Sequence, residues 1–159
     1  METTEYNPHE LAATAANSVL SSLGFTYTIR TEETEDGINL FIDSKEAAYL
    51  IGDDGDRLDD LQYLINRLVQ AQQDNAPRVR VDCNLYRTKS EAKLLRRARA
   101  RAERVLQTGT PLHMEKLNAY QRRLVHQELA DIPGIATESE DTESRFKRIT
   151  ISKITEPCE

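Results

Sequence analysis

From Pro8 to Leu23 the apolar residues Leu11, Ala15, Val19 and Leu23 recur four positions apart, which predicts an amphipathic helix ended by Gly24. The period then changes to two. Phe25, Tyr27 and Ile29 alternate with Thr26, Thr28 and Arg30, so a strand is expected there. Asp36-Gly37 signals a hairpin, and Ile38, Leu40 and Ile42 form one row of the returning strand. Ser44 is placed to cap a short helix through Ile51, which Gly52-Asp53-Asp54-Gly55 breaks. A further helix carries Leu58, Leu61, Ile65 and Leu68 on one stripe. Beyond Pro77, Val79, Val81, Cys83 and Leu85 alternate with Arg78, Arg80, Asp82 and Asn84. The order so far is α-β-β-α-α-β.

Residues 88–107 predict a long helix with Leu94, Leu95, Ala98, Ala102, Val105 and Leu106 on one arc. Lys93, Arg96, Arg97, Arg99, Arg101 and Arg104 cover most of the remainder. Another helix is expected from about Glu115 to Ala130, ended by Asp131-Ile132-Pro133-Gly134. Glu138 to Glu143 reads as an acidic turn and Phe146 to Ile154 as a final strand. The pattern predicts an α+β chain of two small domains, residues 8–86 and 88–154, with a loose tail at 155–159.

Length and composition narrow the class. A chain of 159 residues, 38% hydrophobic and 30% charged with no Trp, has room for one domain or two small ones. No apolar run approaches the roughly 20 residues of a membrane helix, so no membrane insertion is expected. The acidic start, METTEYNPHE, has no signal core, and two lone cysteines fit the reducing cytoplasm. The formal net charge is −6, which argues against a nucleic-acid ligand until its distribution is read. Residues 1–77 hold 15 acids and 4 bases; residues 78–123 hold 4 acids and 13 bases; residues 124–159 hold 8 acids and 4 bases. The central block is rich in arginine, the side chain suited to forked phosphate contacts and to stacking on bases. A solvated helix face accounts for such a run equally well.

The helix–Gly52-Asp53-Asp54-Gly55–helix segment, with a hairpin before it and a strand after it, matches the way a KH domain clamps single-stranded nucleic acid. Paired glycines let the backbone approach phosphates, and the next helix offers amides and a positive dipole end. Leu50-Ile51-Gly52-Asp53-Asp54-Gly55-Asp56-Arg57-Leu58-Asp59-Asp60-Leu61-Gln62-Tyr63-Leu64 resembles the KH domain of the bacterial Jag (SpoIIIJ-associated) proteins. That family carries a second small domain named for an Arg, three residues and a His. Here Leu117-Asn118-Ala119-Tyr120-Gln121-Arg122-Arg123-Leu124-Val125-His126 resembles this R-3-H domain, and Thr137-Glu138-Ser139-Glu140 and Arg148-Ile149-Thr150-Ile151 resemble its closing segments.

The resemblance implies a type II-like KH domain followed by an R-3-H domain of helices on a small sheet. It implies a cytoplasmic protein that binds single-stranded RNA, with single-stranded DNA as the other nucleic-acid candidate. A small partner made of one KH domain, or a second copy of the chain, is the protein partner it admits. Arg122 and His126 lie one helical turn apart on one face. From spacing alone such a His is more often packed or solvated; the resemblance makes the pair nucleic-acid contacts, with Arg123, Arg97, Arg101, Arg104 and Arg148 beside them. The Gly52, Asp53, Asp54, Gly55 loop departs from the family, whose loop usually carries a Lys or Arg. Its two carboxylates oppose a phosphate, so binding there is expected to be weakened or lost. Asp54 or Asp56 is then expected to act as the cap of the next helix. The family's usual N-terminal domain is not expected, since few residues precede the KH segment.

Nothing in the pattern indicates catalysis. His9, His113 and His126 have no zinc-ligand spacing, the Asp cluster does not meet calcium-loop spacing, and no nucleophile–base arrangement is legible. Cys83 reads as a small buried hydrophobe and Cys158 as a tail residue. The expectation is a binding protein with no cofactor and no metal. A protein-interaction or dimerisation module, whose KH half has lost RNA binding, is the alternative.

Overall fold

The computed structural model describes residues 7–155, so most of the expected tail, with Cys158, lies outside the described residues. The chain divides into two compact units between Thr88 and Lys89. Each has helices on a three-stranded sheet, an α+β arrangement of two small domains.

The first unit runs α1 (Pro8–Ser22), β1 (Thr28–Thr34), β2 (Gly37–Asp43), α2 (Ala47–Ile51), a single tight turn (Asp53–Gly55), α3 (Asp56–Gln72) and β3 (Val79–Cys83). Asn7 caps α1 by accepting from the His9 N–H at 3.0 Å, and Pro8 takes the first helical position, where its missing N–H costs nothing. β2 is central, antiparallel to β1 and parallel to β3. Alternation places Ile38, Leu40, Ile42, Val79 and Val81 inward. They meet Leu11, Ala15 and Leu20 of α1 and Leu58, Leu61, Ile65 and Val69 of α3, all buried.

Two expectations shift here. β1 begins three residues later than the Phe25–Arg30 alternation predicts and includes Glu32 and Glu33, because pairing with β2 outweighs the local pattern. Ser44 is buried and ties the turn, donating to the Thr26 carbonyl at 2.8 Å and accepting from the Glu46 N–H at 3.1 Å, rather than capping α2.

β3 is an edge strand, yet its outer edge is closed by side chains. Asn66 of α3 donates to the Val79 carbonyl at 2.7 Å and accepts from its N–H at 2.9 Å. Gln62 accepts from the Val81 N–H at 3.0 Å, and Arg87 Nε donates to the Val81 carbonyl at 2.8 Å. The Asp82 carboxylate takes the Cys83 N–H at 2.8 Å and the Arg87 N–H at 2.9 Å, so a buried acid both finishes the edge and caps the next helix.

The second unit holds most of α4 (Tyr86–Thr108), then β4 (Leu112–His113), α5 (Ala119–Ala130), β5 (Ile135–Ser139) and β6 (Ile149–Lys153). β6 is central between β4 and β5, and both pairings are antiparallel. Leu94, Ala98, Ala102 and Val105 of α4 pack with Val125, Leu129, Ile135, Ile149 and Ile151. α5 starts four residues later than expected. Leu117 is bridged to Lys147 as a sheet extension, and Asn118 with Gln121 forms a capping box at the helix start. β5 and β4 are additions to the expected elements. The final strand is shorter than Phe146–Ile154, since residues 144–148 bend before β6.

Candidate nucleic-acid interface

α4 has a 3.6-residue repeat of buried side chains, so its bases necessarily turn outward. They are not equally available. Arg97 pairs with Glu115 at 2.6 Å, and Arg101 approaches the same carboxylate at 3.5 Å and Met114 Sδ at 3.6 Å. Arg99 is ion-paired with Glu128 of α5. Arg96 and Arg104 are exposed, as are Arg123 on α5 and Arg145 and Arg148 before β6. Arg148 uses its backbone N–H, not its guanidinium, to bind Glu140 at 3.0 Å.

Arg122 and His126 are half-buried and turned toward the protein's own backbone and sheet. Arg122 Nη1 donates to the Leu117 carbonyl at 2.8 Å and to the Arg145 carbonyl at 3.3 Å. His126 Nδ1 lies 2.6 Å from Thr137 Oγ1, and Nε2 lies 2.9 Å from Ser139 Oγ. Burial, and then the Arg122 charge, push the imidazole pKa below its ordinary value. The pair therefore fastens α5 to β5 and to the bend before β6.

That bend carries residues the sequence reading passed over. Phe146 is exposed between Arg145 and Lys147, with the Arg145 guanidinium 5.8 Å from its ring centroid. Tyr120, in the first turn of α5, is also exposed. The run Ser144-Arg145-Phe146-Lys147-Arg148, an aromatic ring flanked by bases, was the available signal.

In the first unit the Gly52–Gly55 loop follows α2 directly. Gly52 has φ +71°, and a Cβ there would meet Arg57 Cγ at 2.6 Å. Gly55 has φ +85°, and a Cβ there would lie 2.9 Å from the Tyr86 ring. Both glycines thus have a packing reason for being glycine. Asp53 and Asp54 are exposed, and Asp54 adopts the left-handed conformation at φ +52°. Asp54 and Asp56 do not cap α3 as expected. Gly55 holds the cap position without a side-chain bond, and Asp56 folds back to its neighbour's Arg57 N–H at 2.7 Å. Arg57, the one base of this stretch, donates to the Tyr49 carbonyl at 3.3 Å. Asp59 is paired with Arg87 at 2.8 Å. Among the described residues no three His, Cys, Asp or Glu side chains come together as a metal-ligating group, and no helix is long and apolar enough to cross a membrane.

A family model for the R-3-H domain matches residues 92–153. An RNA-binding protein named KhpB from Clostridium symbiosum is 31% identical over 125 residues, covering 79% of this chain and 56% of that protein. One of the same name from Lactiplantibacillus plantarum is 28% identical over 123 residues, 77% of this chain and 38% of its own length. The chain thus spans about half the length or less of these curated relatives. It carries an R-3-H domain and is homologous to the RNA-binding proteins named KhpB.

Proposed function

We propose that the protein binds single-stranded RNA through its R-3-H domain, residues 88–154, and acts by binding rather than by catalysis, in the cytoplasm. One observation carries this reading. The exposed guanidiniums of Arg104, Arg123, Arg145 and Arg148 lie in a domain whose relatives are named RNA-binding proteins, and no carboxylate among the described residues is ion-paired with them. In this reading those side chains take phosphates. Arg97 and Arg101 join them when Glu115 releases them, and Arg122 and His126 hold the surface in shape. Single-stranded DNA binds the same surface to the extent that the ribose hydroxyl is not read.

The first unit, residues 8–86, is in this reading a type II-like KH domain. The α-β-β-α-α-β order supports it, with a Gly-x-x-Gly loop between the second and third helices. Its loop is a poor phosphate cradle, since Asp53 and Asp54 face solvent while Arg57 is engaged with Tyr49. The exposed Tyr63, Leu64 and Leu68 of α3 favour a second role for this unit as a contact surface for a KH-type protein or a second copy.

Titration of a labelled single-stranded RNA at several salt concentrations tests the main reading. Binding should weaken steeply with salt, by a slope of roughly −0.7 per phosphate contact. It should fall in Arg122→Ala plus His126→Ala. Binding without salt dependence, or indifferent to that double variant, overturns the assignment. Asp53→Lys plus Asp54→Lys reports on the loop separately: unchanged affinity means that it does not face nucleic acid.

A further inference from the structure

Phe146 stands half out of the second unit, 48% exposed, on a backbone that is fixed on both sides of it. After it, Lys147 exchanges both main-chain hydrogen bonds with Leu117, at 2.9 and 3.0 Å. Before it, the Arg145 carbonyl accepts from Arg122 Nη1 at 3.3 Å. The same Nη1 donates at 2.8 Å to the Leu117 carbonyl, which also receives the Lys147 N–H. Arg122 is thus the knot that ties both flanks of Phe146 to the start of α5. The ring is exposed and is not one of the unit's buried core residues. Its neighbour in space is a cation, the Arg145 guanidinium at 5.8 Å from the ring centroid, within cation–π range.

A single exposed apolar residue is ordinary. A rigidly seated ring bordered by Arg145, Lys147 and Arg148 has a more specific chemistry. Aromatic rings take bases by stacking, and the surrounding cations take the phosphates that connect them. We propose that Phe146 is a stacking platform for an unpaired nucleobase, that Arg145 closes over the same nucleotide, and that Arg122 is a positioning residue that seats the platform through the backbone. This rests on the RNA-binding reading above and deepens it. It also gives Arg122 a role that needs no direct contact with nucleic acid.

The chain has no Trp, so Phe146→Trp places one indole at the site and nowhere else. The probes are a short oligouridylate, the oligothymidylate of the same length, and an abasic ribose-phosphate strand of the same length. Indole emission should be quenched by oligouridylate and unaffected by the abasic strand. Quenching by oligothymidylate as well assigns the platform to unpaired bases of either nucleic acid. Phe146→Ala should weaken oligouridylate binding about fivefold or more, with the salt slope unchanged because no charge is lost. Phe146→Trp should bind at least as tightly as the natural chain. Adding Arg122→Ala to Phe146→Trp should reduce the quenching at saturation, a loss that a merely structural role for Arg122, away from the platform, leaves undisturbed. If anisotropy shows saturation while the indole emission stays constant, and Phe146→Ala binds normally, the platform is wrong and the RNA-binding reading stands. If the natural chain fails to bind oligouridylate even at low salt, that reading fails, and the platform with it.

Discussion

His126 and Thr137 are joined ring to hydroxyl, Nδ1 to Oγ1 at 2.6 Å, and Ser139 meets the other ring nitrogen at 2.9 Å. A neutral imidazole has one donor and one acceptor, so one hydroxyl receives and the other gives. Protonation would reverse one of these roles, in a half-buried place, beside the Arg122 charge. Both burial and that charge lower the folded-state pKa. The sign follows. Above the unfolded value of about 6.5 the contribution of His126 is fully present. As pH falls through that value the unfolded chain takes up a proton that the folded chain refuses, and stability declines until the folded imidazole protonates too. Thermal unfolding of the natural chain and of His126→Gln, compared across this range, should show the natural chain's advantage shrinking below about pH 6.5. An advantage that grows on acidification contradicts a depressed pKa.

Glu115 neutralises two bases of α4, Arg97 and Arg101, at once. These pairs are half-exposed and are worth roughly 0–1 kcal/mol each to the fold. Glu115→Gln should therefore barely move the melting temperature while freeing both guanidiniums. RNA should bind more tightly, with a salt slope steeper by roughly 0.7 for each guanidinium that reaches a phosphate. Equal affinity in the variant would mean that Arg97 and Arg101 lie off the ligand's path.

Asn66 imitates a neighbouring strand, answering both backbone groups of Val79. Asn66→Leu leaves those two groups without a partner beside the core, at about 1–3 kcal/mol for an unsatisfied buried group. In urea unfolding the midpoint should drop while the slope stays the same. Asn66→Asp keeps the acceptor, loses the donor and should fall between. A stable Asn66→Leu would show that water replaces the amide at no cost.

The thiol of Cys83 is buried, and its pKa is pushed up to about 11, first by burial and then by the Asp82 and Asp43 carboxylates. The thiolate is the reactive form, so Cys83 should be inert in the folded chain. In a Cys158→Ser background a disulfide reagent should find no thiol until denaturant is added, and reaction should then track unfolding. Prompt labelling of the native variant contradicts the burial.

Elements with strong apolar periodicity were legible in the chain. Ile38, Leu40 and Ile42 line the inner face of β2, and Leu58, Leu61 and Ile65 are buried on α3. The same stripe fails at its end. Leu68 is exposed and Val69 is buried, because a 3.6-residue turn carries the buried side from Ile65 to Val69. Leu85 continues the alternation of β3 on paper, but the backbone turns left-handed at Asn84 and Leu85 and releases it to solvent. β5 has one buried apolar residue, Ile135, and is defined by its pairing with β6. Its Thr137 and Ser139 are also held by His126. The Arg122–His126 pair could be seen in the sequence. What it grips could not, since those partners lie up to 23 residues away and are main-chain carbonyls and hydroxyls common to most surfaces.

The side chains that close the outer edge of β3 also limit how this sheet can join others. Asn66, Gln62, Arg87 and Asp82 occupy every bonding group there from the Val79 N–H to the Cys83 N–H. The other edge strand of this sheet is β1, which carries Glu32 and Glu33. An incoming strand on the β3 side would have to displace all four side chains before it could pair, so the sheet is sealed against extension from that side.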